Sequence, residues 1–120
     1  RNGPCCSPTA TIRVSDCVAA LNQGNGMQFD GLAAAATIER CNITKNGGFG
    51  LLLPQQGYWN SPTLVDNCTI TDHAQYGVAQ FFGQLIMTNN VIKRNGGSGW
   101  GAVLLGNIVS PSLIANNLIT

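Results

Sequence analysis

The chain has 120 residues, a formal net charge of +1 and 9% charged residues, where an average soluble protein has roughly 25%. This length suits a single domain, and so little charge excludes the basic surface that nucleic-acid-binding proteins carry. Apolar runs such as residues 32–36 and 51–53 are far shorter than the ~18 residues of a membrane-spanning helix. We therefore expect neither a nucleic-acid partner nor insertion into a membrane.

The composition indicates many short strands joined by turns. The sequence contains 15 Gly and 13 Asn, which favour turns, whereas strong helix formers are few. Ile, Leu and Val are spread over the whole length, which excludes intrinsic disorder. The final residues, 112–120, have the pattern of a strand interrupted in mid-course, and we expect the chain to be a segment of a longer protein.

An internal repeat with a spacing of 22 to 27 residues runs through the chain. Each copy contains an apolar run, a break at Cys or Asn, a second apolar run, a polar turn, a Gly and a third apolar run. Such short runs cannot form helices, but strands of successive copies can stack in parallel about 4.8 Å apart. The repeat therefore predicts a parallel β-helix with three strands in each coil. The five copies are residues 14–20, 38–44, 65–71, 87–93 and 114–120.

Two apolar rows are predicted to point inward and to repeat from coil to coil. One row follows the break in each copy and the other precedes it, so both line the interior. The rows are Ala19, Ile43, Ile70, Ile92 and Ile119, and Val14, Ile38, Val65, Met87 and Ile114.

The chain is expected to form one domain. Residues 1–9 would be an irregular lead-in and residues 10–120 the coils.

The break position is predicted to form an inward ladder at one corner of the coils. Stacked Asn side chains can hydrogen-bond along such a column, and Cys fills the same corner with a small apolar group. Free thiols are favoured over a disulfide between two rungs. A metal site is disfavoured because metal-binding cysteines are spaced more closely, and no cofactor is expected. The members of the ladder are Cys17, Cys41, Cys68, Asn90 and Asn117.

The repeat, with pieces such as residues 90–92 (Asn-Val-Ile) and 95–97 (Asn-Gly-Gly), resembles a known fold family. It is similar to the right-handed parallel β-helix repeats of polysaccharide lyases, glycosidases, alginate epimerases and phage tailspikes. The resemblance covers residues 10–120 and implies an all-β solenoid of about five coils. It also implies an extracellular or virion location and a polysaccharide partner. The open sheet edges expected at both ends predict association with further coils or subunits of the same protein, as a homo-oligomer such as a trimer.

Enzymes of these families usually carry acid–base residues on one outward sheet, commonly on the strand after the Gly turn. The outward row expected there has no residue that can transfer a proton, so we expect no polysaccharide-cleaving centre on that face. The row consists of Gln28, Leu52, Ala79 and Val103.

Three polar residues are weak catalytic candidates. Glu39 and Asp66 fall one rung apart, and a separation of ~5 Å would match a retaining glycosidase. His73, the one His of the chain, falls between Asn46 and Asn95 in a turn column, beside a row of Lys45, Asp72 and Arg94. A structural role is favoured for all of them. Glu39 and Asp66 are expected to be a solvated pair and His73 a polar turn residue, and the neighbouring row of charges is expected to be a surface ion-pair ladder.

An inter-coil loop in which aromatic rings and amides come together is either a glycan site, because flat faces and paired hydrogen-bonding groups suit neutral sugars, or a loop whose aromatic rings cover the end of the sheet. Its residues are Gln55, Gln56, Tyr58, Trp59 and Asn60. Tyr76 would join a stack between Phe49 and Trp100 if Gly50, Gly77 and Gly101 align. Such a stack is either a platform for a sugar or a core element that closes a corner.

Two functions are compatible with these observations. The first is a structural β-helix segment of a phage tail spike or fibre that contacts cell-surface glycan and has no catalytic centre of its own. The second is a fragment of a secreted polysaccharide lyase, hydrolase or epimerase whose catalytic residues lie outside this chain. The low charge and the bare sheet face favour the first.

Overall fold

The computed structural model describes residues 11–29, 35–53, 63–80, 84–97, 99, 101–105 and 113–120. Within these ranges every regular element is a β-strand of two to five residues. The strands are β1 (Thr11–Ser15), β2 (Val18–Ala20), β3 (Met27–Gln28), β4 (Ala35–Glu39), β5 (Asn42–Thr44), β6 (Leu51–Leu53), β7 (Thr63–Asp66), β8 (Thr69–Thr71), β9 (Val78–Gln80), β10 (Leu85–Thr88), β11 (Val91–Lys93), β12 (Val103–Leu105), β13 (Leu113–Ala115) and β14 (Leu118–Ile119).

The strands form three parallel sheets. Within each sheet, neighbouring strands are three positions apart in the order of the chain. The first sheet has the order β1-β4-β7-β10-β13, the second β2-β5-β8-β11-β14 and the third β3-β6-β9-β12. Each coil thus contributes one strand to each sheet, and successive coils stack. The predicted all-β solenoid with three strands in each coil is confirmed.

The two predicted inward rows are confirmed by the strand register. In the second sheet Ile43 pairs with Ile70, and Ile70 with Ile92. In the first sheet Ile38 pairs with Val65 in the same way, and all five of these side chains are fully buried. Because each row repeats an apolar side chain at the same place in every coil, the core is continuous from one coil to the next.

Each coil bends at residues with left-handed backbone conformation, which lets the chain turn sharply between two strands. At the first corner the backbone N–H of Arg40 donates to the carbonyl oxygen of Asp66 (3.1 Å), and at the second that of Lys45 donates to Thr71 (3.0 Å). The hydrogen bonding between coils therefore continues through the bend and offsets the cost of a positive φ in non-glycine residues. The left-handed residues are Asp16, Arg40, Asn67, Asn89 and Asn116 at the first corner, and Leu21, Lys45, Asp72 and Arg94 at the second.

The predicted outward row of the third sheet was wrong at one position. Val103 pairs with Val78, and Leu104 is the partner of Ala79. The column that begins at Gln28 is therefore Gln28, Leu52, Ala79 and Leu104, and Ala79 within it is buried. The last coil has a longer connection before this strand, because Val103 lies eight positions after Asn95 whereas Val78 lies five positions after His73. The alignment on Gly101 was therefore one residue out of register.

Candidate functional site

The predicted ladder of Cys17, Cys41, Cys68, Asn90 and Asn117 lies at the corner between the first and second strands of each coil and is called the first ladder. Its asparagines form a hydrogen-bonded column. The Nδ2 of the buried Asn90 donates to the Oδ1 of Asn117 (2.9 Å) and to the carbonyl oxygen of Val65 (2.9 Å). Its Oδ1 accepts the backbone N–H of Cys68 (2.8 Å). The side-chain amide of Asn90 is thereby fully satisfied, as a buried amide must be.

Cys41 and Cys68 repeat this geometry with a weaker donor. The Sγ of Cys68 lies 3.5 Å from the carbonyl oxygen of Ile38, and that of Cys41 lies 3.7 Å from that of Val14. Burial raises the pKa of the Cys68 thiol to about 11, so this thiol is protonated at neutral pH and is a poor nucleophile. Cys41 and Cys68 are free and buried, and Cys17 is free and exposed.

The turn column that holds Asn46, His73 and Asn95 forms a second ladder, at the corner after the second strand. The backbone N–H and the Nδ2 of Asn22 both donate to the Oδ1 of Asn46 (3.0 and 2.8 Å). The Nδ2 of Asn46 donates to the carbonyl oxygen of Ala19 (3.1 Å), which is the bonding pattern of the first ladder. A signal was present, because an Asn or His stands four residues before Gly26, Gly50 and Gly77. The members of the second ladder are Asn22, Asn46, His73 and Asn95.

His73 takes the place of an asparagine in the second ladder. Its Nδ1 accepts the backbone N–H of Asn46 (3.2 Å), and its Nε2 lies 3.0 Å from the carbonyl oxygen of Ile43. The residue is 3% exposed, and burial lowers the pKa of the imidazole below its ordinary value. Both ring nitrogens are engaged in the ladder, so the ring holds no nitrogen ready to exchange a proton with a substrate.

Glycines make room for the side chains of the second ladder. A Cβ on Gly50 would lie 2.6 Å from the Cδ2 and Nε2 of His73. At the equivalent place one coil earlier, a Cβ on Gly26 would lie 2.7 Å from the Nδ2 of Asn46. These separations are shorter than real Cβ contacts allow, so the glycine of one coil and the ladder residue of the next are complementary in shape.

Glu39, one of the predicted catalytic candidates, is held between two arginines. Its Oε1 accepts the Nε–H of Arg13 (2.7 Å), and its Oε2 lies 3.5 Å from the Nη1 of Arg40. Arg40 also binds Asp16 through two hydrogen bonds, of 2.8 and 2.9 Å. Glu39 is therefore part of a network of ion pairs that links neighbouring coils along the end of the first sheet.

Asp66, the second carboxylate candidate, is the register partner of Glu39. Its Oδ1 accepts hydrogen bonds from the hydroxyl of Thr88 (2.7 Å) and the Nδ2 of Asn89 (3.1 Å). These two bonds hold the pKa of the Asp66 carboxyl below its ordinary range. A general acid for glycoside cleavage needs a raised pKa, so Asp66 is tuned in the opposite direction.

The turn column of Lys45, Asp72 and Arg94 lines a shallow, open groove on the outside of the second corner. Arg94 donates from Nε and Nη2 to the two carboxylate oxygens of Asp72 (2.7 and 2.9 Å), and this pairing lowers the pKa of Asp72. Lys45 is exposed on the preceding coil. The groove is lined by Leu21, Asn22, Lys45, Asn46, Gly47, Asp72, His73, Ala74, Arg94 and Gly97.

The rings of Phe49 and Tyr76 stack on neighbouring coils, with centroids 6.2 Å apart and planes inclined by 7°. The expectation that Trp100 follows them rested on the alignment of Gly101 with Gly77, which was wrong. Gly101 packs close to the Tyr76 ring, where an added Cβ would come 3.2 Å from Cε1. The next coil thus contacts the Tyr76 ring, which favours a structural stack over a sugar platform.

The remaining predicted glycan-binding residues lie outside the described residues. They are Gln55, Gln56, Tyr58, Trp59, Asn60 and Trp100.

Within the described ranges, no three His, Cys, Asp or Glu side chains come together as a metal-ligand set. The same part of the chain includes no helix of the length and hydrophobicity needed to cross a bilayer.

Comparison with known proteins agrees with the geometry of the coils. The profile of the family described as the right handed beta helix region matches residues 12–120. No match was found among curated proteins or among solved structures. The family match spans almost the whole chain and includes both ladders and all three sheets. The chain therefore belongs to the right-handed β-helix family.

Proposed function

We propose that this chain is a structural β-helix segment of a phage tail spike or tail fibre protein, which contacts cell-surface glycan without a catalytic centre of its own. The β-helix family includes enzymes and non-enzymes on the same scaffold, so the proposal rests on the chemistry of the surface. The virion context comes from the similarity of the repeat to phage tailspikes.

The observation that carries the structural role is that all four acidic residues in the described ranges are engaged in hydrogen bonds. Three of them pair with arginine, and Asp66 is bound by Thr88 and Asn89. The pKa values of the three aspartates are lowered by these partners. A carboxylic acid that must donate a proton at neutral pH needs the opposite tuning.

The groove at the second corner supports glycan contact. It presents Lys45, the Asp72–Arg94 pair and the polar side chain of Asn22 on successive coils, which repeat about every 4.8 Å. Hydroxyl groups of a sugar chain can accept from the cationic groups and donate to the carboxylate, and a regular spacing lets successive sugars use successive coils. An open groove of this kind suits an extended polymer better than a small molecule.

Binding is tested by titrating bacterial surface polysaccharides into the 120-residue chain and measuring the heat of association. We expect the double variant Asp72→Ala/Arg94→Ala to weaken binding about tenfold, because it removes the charged hydrogen-bonding groups of the groove. The matched control is Asp16→Ala/Arg40→Ala, which removes the equivalent exposed pair at the other corner and should leave the affinity unchanged. Equal losses in both variants would contradict the assignment of the groove.

The absence of a catalytic centre is tested by incubating the same polysaccharides with the chain and measuring new reducing or unsaturated ends. We expect none above the buffer control. The alternative is a fragment of a polysaccharide lyase, hydrolase or epimerase, and the adjacent rungs of Glu39 and Asp66 are the feature that favours it. Release of ends that is abolished by Glu39→Gln or Asp66→Asn would establish that alternative.

We further propose that the edge coil with β13 and β14 is covered by another β-helix coil, from the same protein or from a second subunit. Ile114 and Ile119 continue the two inward rows, yet they are 40% and 42% exposed, and Leu113 and Leu118 beside them are about half exposed. β13 and β14 pair with β10 and β11 on one side only, and an edge strand with apolar side chains is a template for further strands.

The edge is tested by sedimentation velocity of the 120-residue chain over micromolar concentrations. We expect reversible association, which the single variant Ile114→Lys abolishes because a charged side chain on the edge opposes pairing. Thr69→Lys is the control, since Thr69 is exposed on an interior strand of the stack, and it should still associate. A wild-type chain that stays monomeric throughout would refute the proposed partner.

A further inference from the structure

The second ladder contains one member that can change its charge near neutral pH. Asn22, Asn46 and Asn95 carry amides, which do not titrate, whereas His73 carries an imidazole and is the single His of the sequence. An unperturbed imidazole has a pKa of about 6.5. The two ladders therefore differ, because the first contains asparagine and cysteine and no histidine.

The partners of His73 determine which ring nitrogen carries the proton. The backbone N–H of Asn46 can only donate, so Nδ1 must accept from it. The carbonyl oxygen of Ile43 can only accept, so Nε2 must carry the hydrogen. The neutral tautomer protonated on Nε2 thus reproduces the acceptor and the donor of an asparagine amide, and this explains why a histidine fits the ladder.

A second proton would break this arrangement. It would have to sit on Nδ1, which lies 3.2 Å from the backbone nitrogen of Asn46 and 3.4 Å from its Nδ2. Donors would then face each other inside the protein, with a positive charge that is 3% exposed. The ring cannot move aside easily, because its Cδ2 and Nε2 already occupy the space left by Gly50.

The charged groups on the turns around the ring do not compensate for this cost. They are Asp72 on its own turn, Lys45 on the preceding coil and Arg94 on the next, which all line the same groove. Asp72 favours the protonated ring, but its carboxylate is shared with Arg94 through two hydrogen bonds. Burial outweighs the favourable contacts, so the pKa of His73 is lowered.

We propose that His73 makes the stacking of these coils sensitive to pH, so that the ladder is intact while the ring is neutral and the coils separate more readily below about pH 6.5. The site of the effect is the contact between the turn after β5 and the turn after β8. It is independent of whether the groove binds glycan, because the ring takes part through its bonds to the backbone.

The direction of the effect follows from the two protonation states. In the unfolded chain the imidazole takes up a proton near its ordinary pKa of about 6.5, whereas in the folded chain its pKa is lower. The unfolded state therefore binds more protons in the interval between these two pKa values. The stability is fully present above that interval and falls as the pH is lowered through it.

Urea unfolding at pH 7 and pH 5 tests the proposal with wild type and His73→Asn. We expect the unfolding equilibrium constant of wild type to rise several-fold between pH 7 and pH 5, and that of His73→Asn to change less than about twofold, since asparagine keeps the acceptor and donor without titrating. Asp16→Asn is the control, because it removes a carboxylate at the other corner of the coil, and it should keep the wild-type dependence. A His73→Asn variant with the same pH dependence as wild type would overturn the proposal.

Long-range proton–nitrogen NMR spectra of the ¹⁵N-labelled wild-type chain give an independent readout that needs no variant. We expect the pattern of the tautomer protonated on Nε2 and a titration midpoint below that of an unfolded histidine peptide. A ring protonated on Nδ1, or a midpoint equal to or above that of the peptide, would be inconsistent with the proposed switch.

Discussion

Replacing Asn90 with alanine is expected to lower the free energy of unfolding by about 3 kcal/mol, because the change leaves buried backbone groups without partners. Asn90 is 1% exposed and bonds to Cys68, Val65 and Asn117 in the first ladder. The loss of this side chain interrupts the column at its second-last rung, on the sides of both Cys68 and Asn117, and leaves a small cavity. Urea or thermal unfolding followed by circular dichroism measures the change.

The matched control for this prediction is Asn42→Ala, which removes the same side chain from an exposed position on β5. We expect it to change the free energy of unfolding by about 0.5 kcal/mol or less, as surface substitutions generally do. If Asn90→Ala were as mild as Asn42→Ala, the first ladder would be a by-product of the repeat and not a source of stability.

Replacing Gly50 with alanine is expected to destabilise the fold by about 2 to 3 kcal/mol, because the new methyl group has no space. The added Cβ would lie 2.6 Å from the carbonyl oxygen of Gly77 and from two atoms of His73. Gly50 does not have a positive φ, so the effect arises from the close approach of two coils and not from backbone strain. Chemical denaturation gives the size of the loss.

Gly24→Ala is the control, because no atom lies within 4 Å of a Cβ added there and its φ is also not positive. We expect this variant to be as stable as wild type or slightly more stable, since alanine reduces the conformational freedom of the unfolded chain. Equal destabilisation by both substitutions would mean that the glycine column is not shaped by the second ladder.

The sequence by itself determined the architecture of this protein. The three apolar runs and the Cys or Asn break of each copy predict parallel stacking, both inward rows and the pairing of Glu39 with Asp66, all of which the register confirms. This is possible because every coil must place an apolar side chain at the same point above the previous one. A one-residue slip would turn the whole row outward, so the spacing of apolar residues carries the register.

The tertiary structure alone decided what the polar residues do. The partners of His73, at Ile43 and Asn46, lie 30 and 27 residues earlier in the chain, and only the stacked coils show that the ring stands in for an asparagine. The longer turn before β12 likewise shifts Val103 and Gly101 by one position, because a turn can absorb extra residues that no apolar row constrains. Apolar rows reveal themselves by spacing, whereas a hydrogen-bonded site depends on the direction of each donor and acceptor, which the fold supplies.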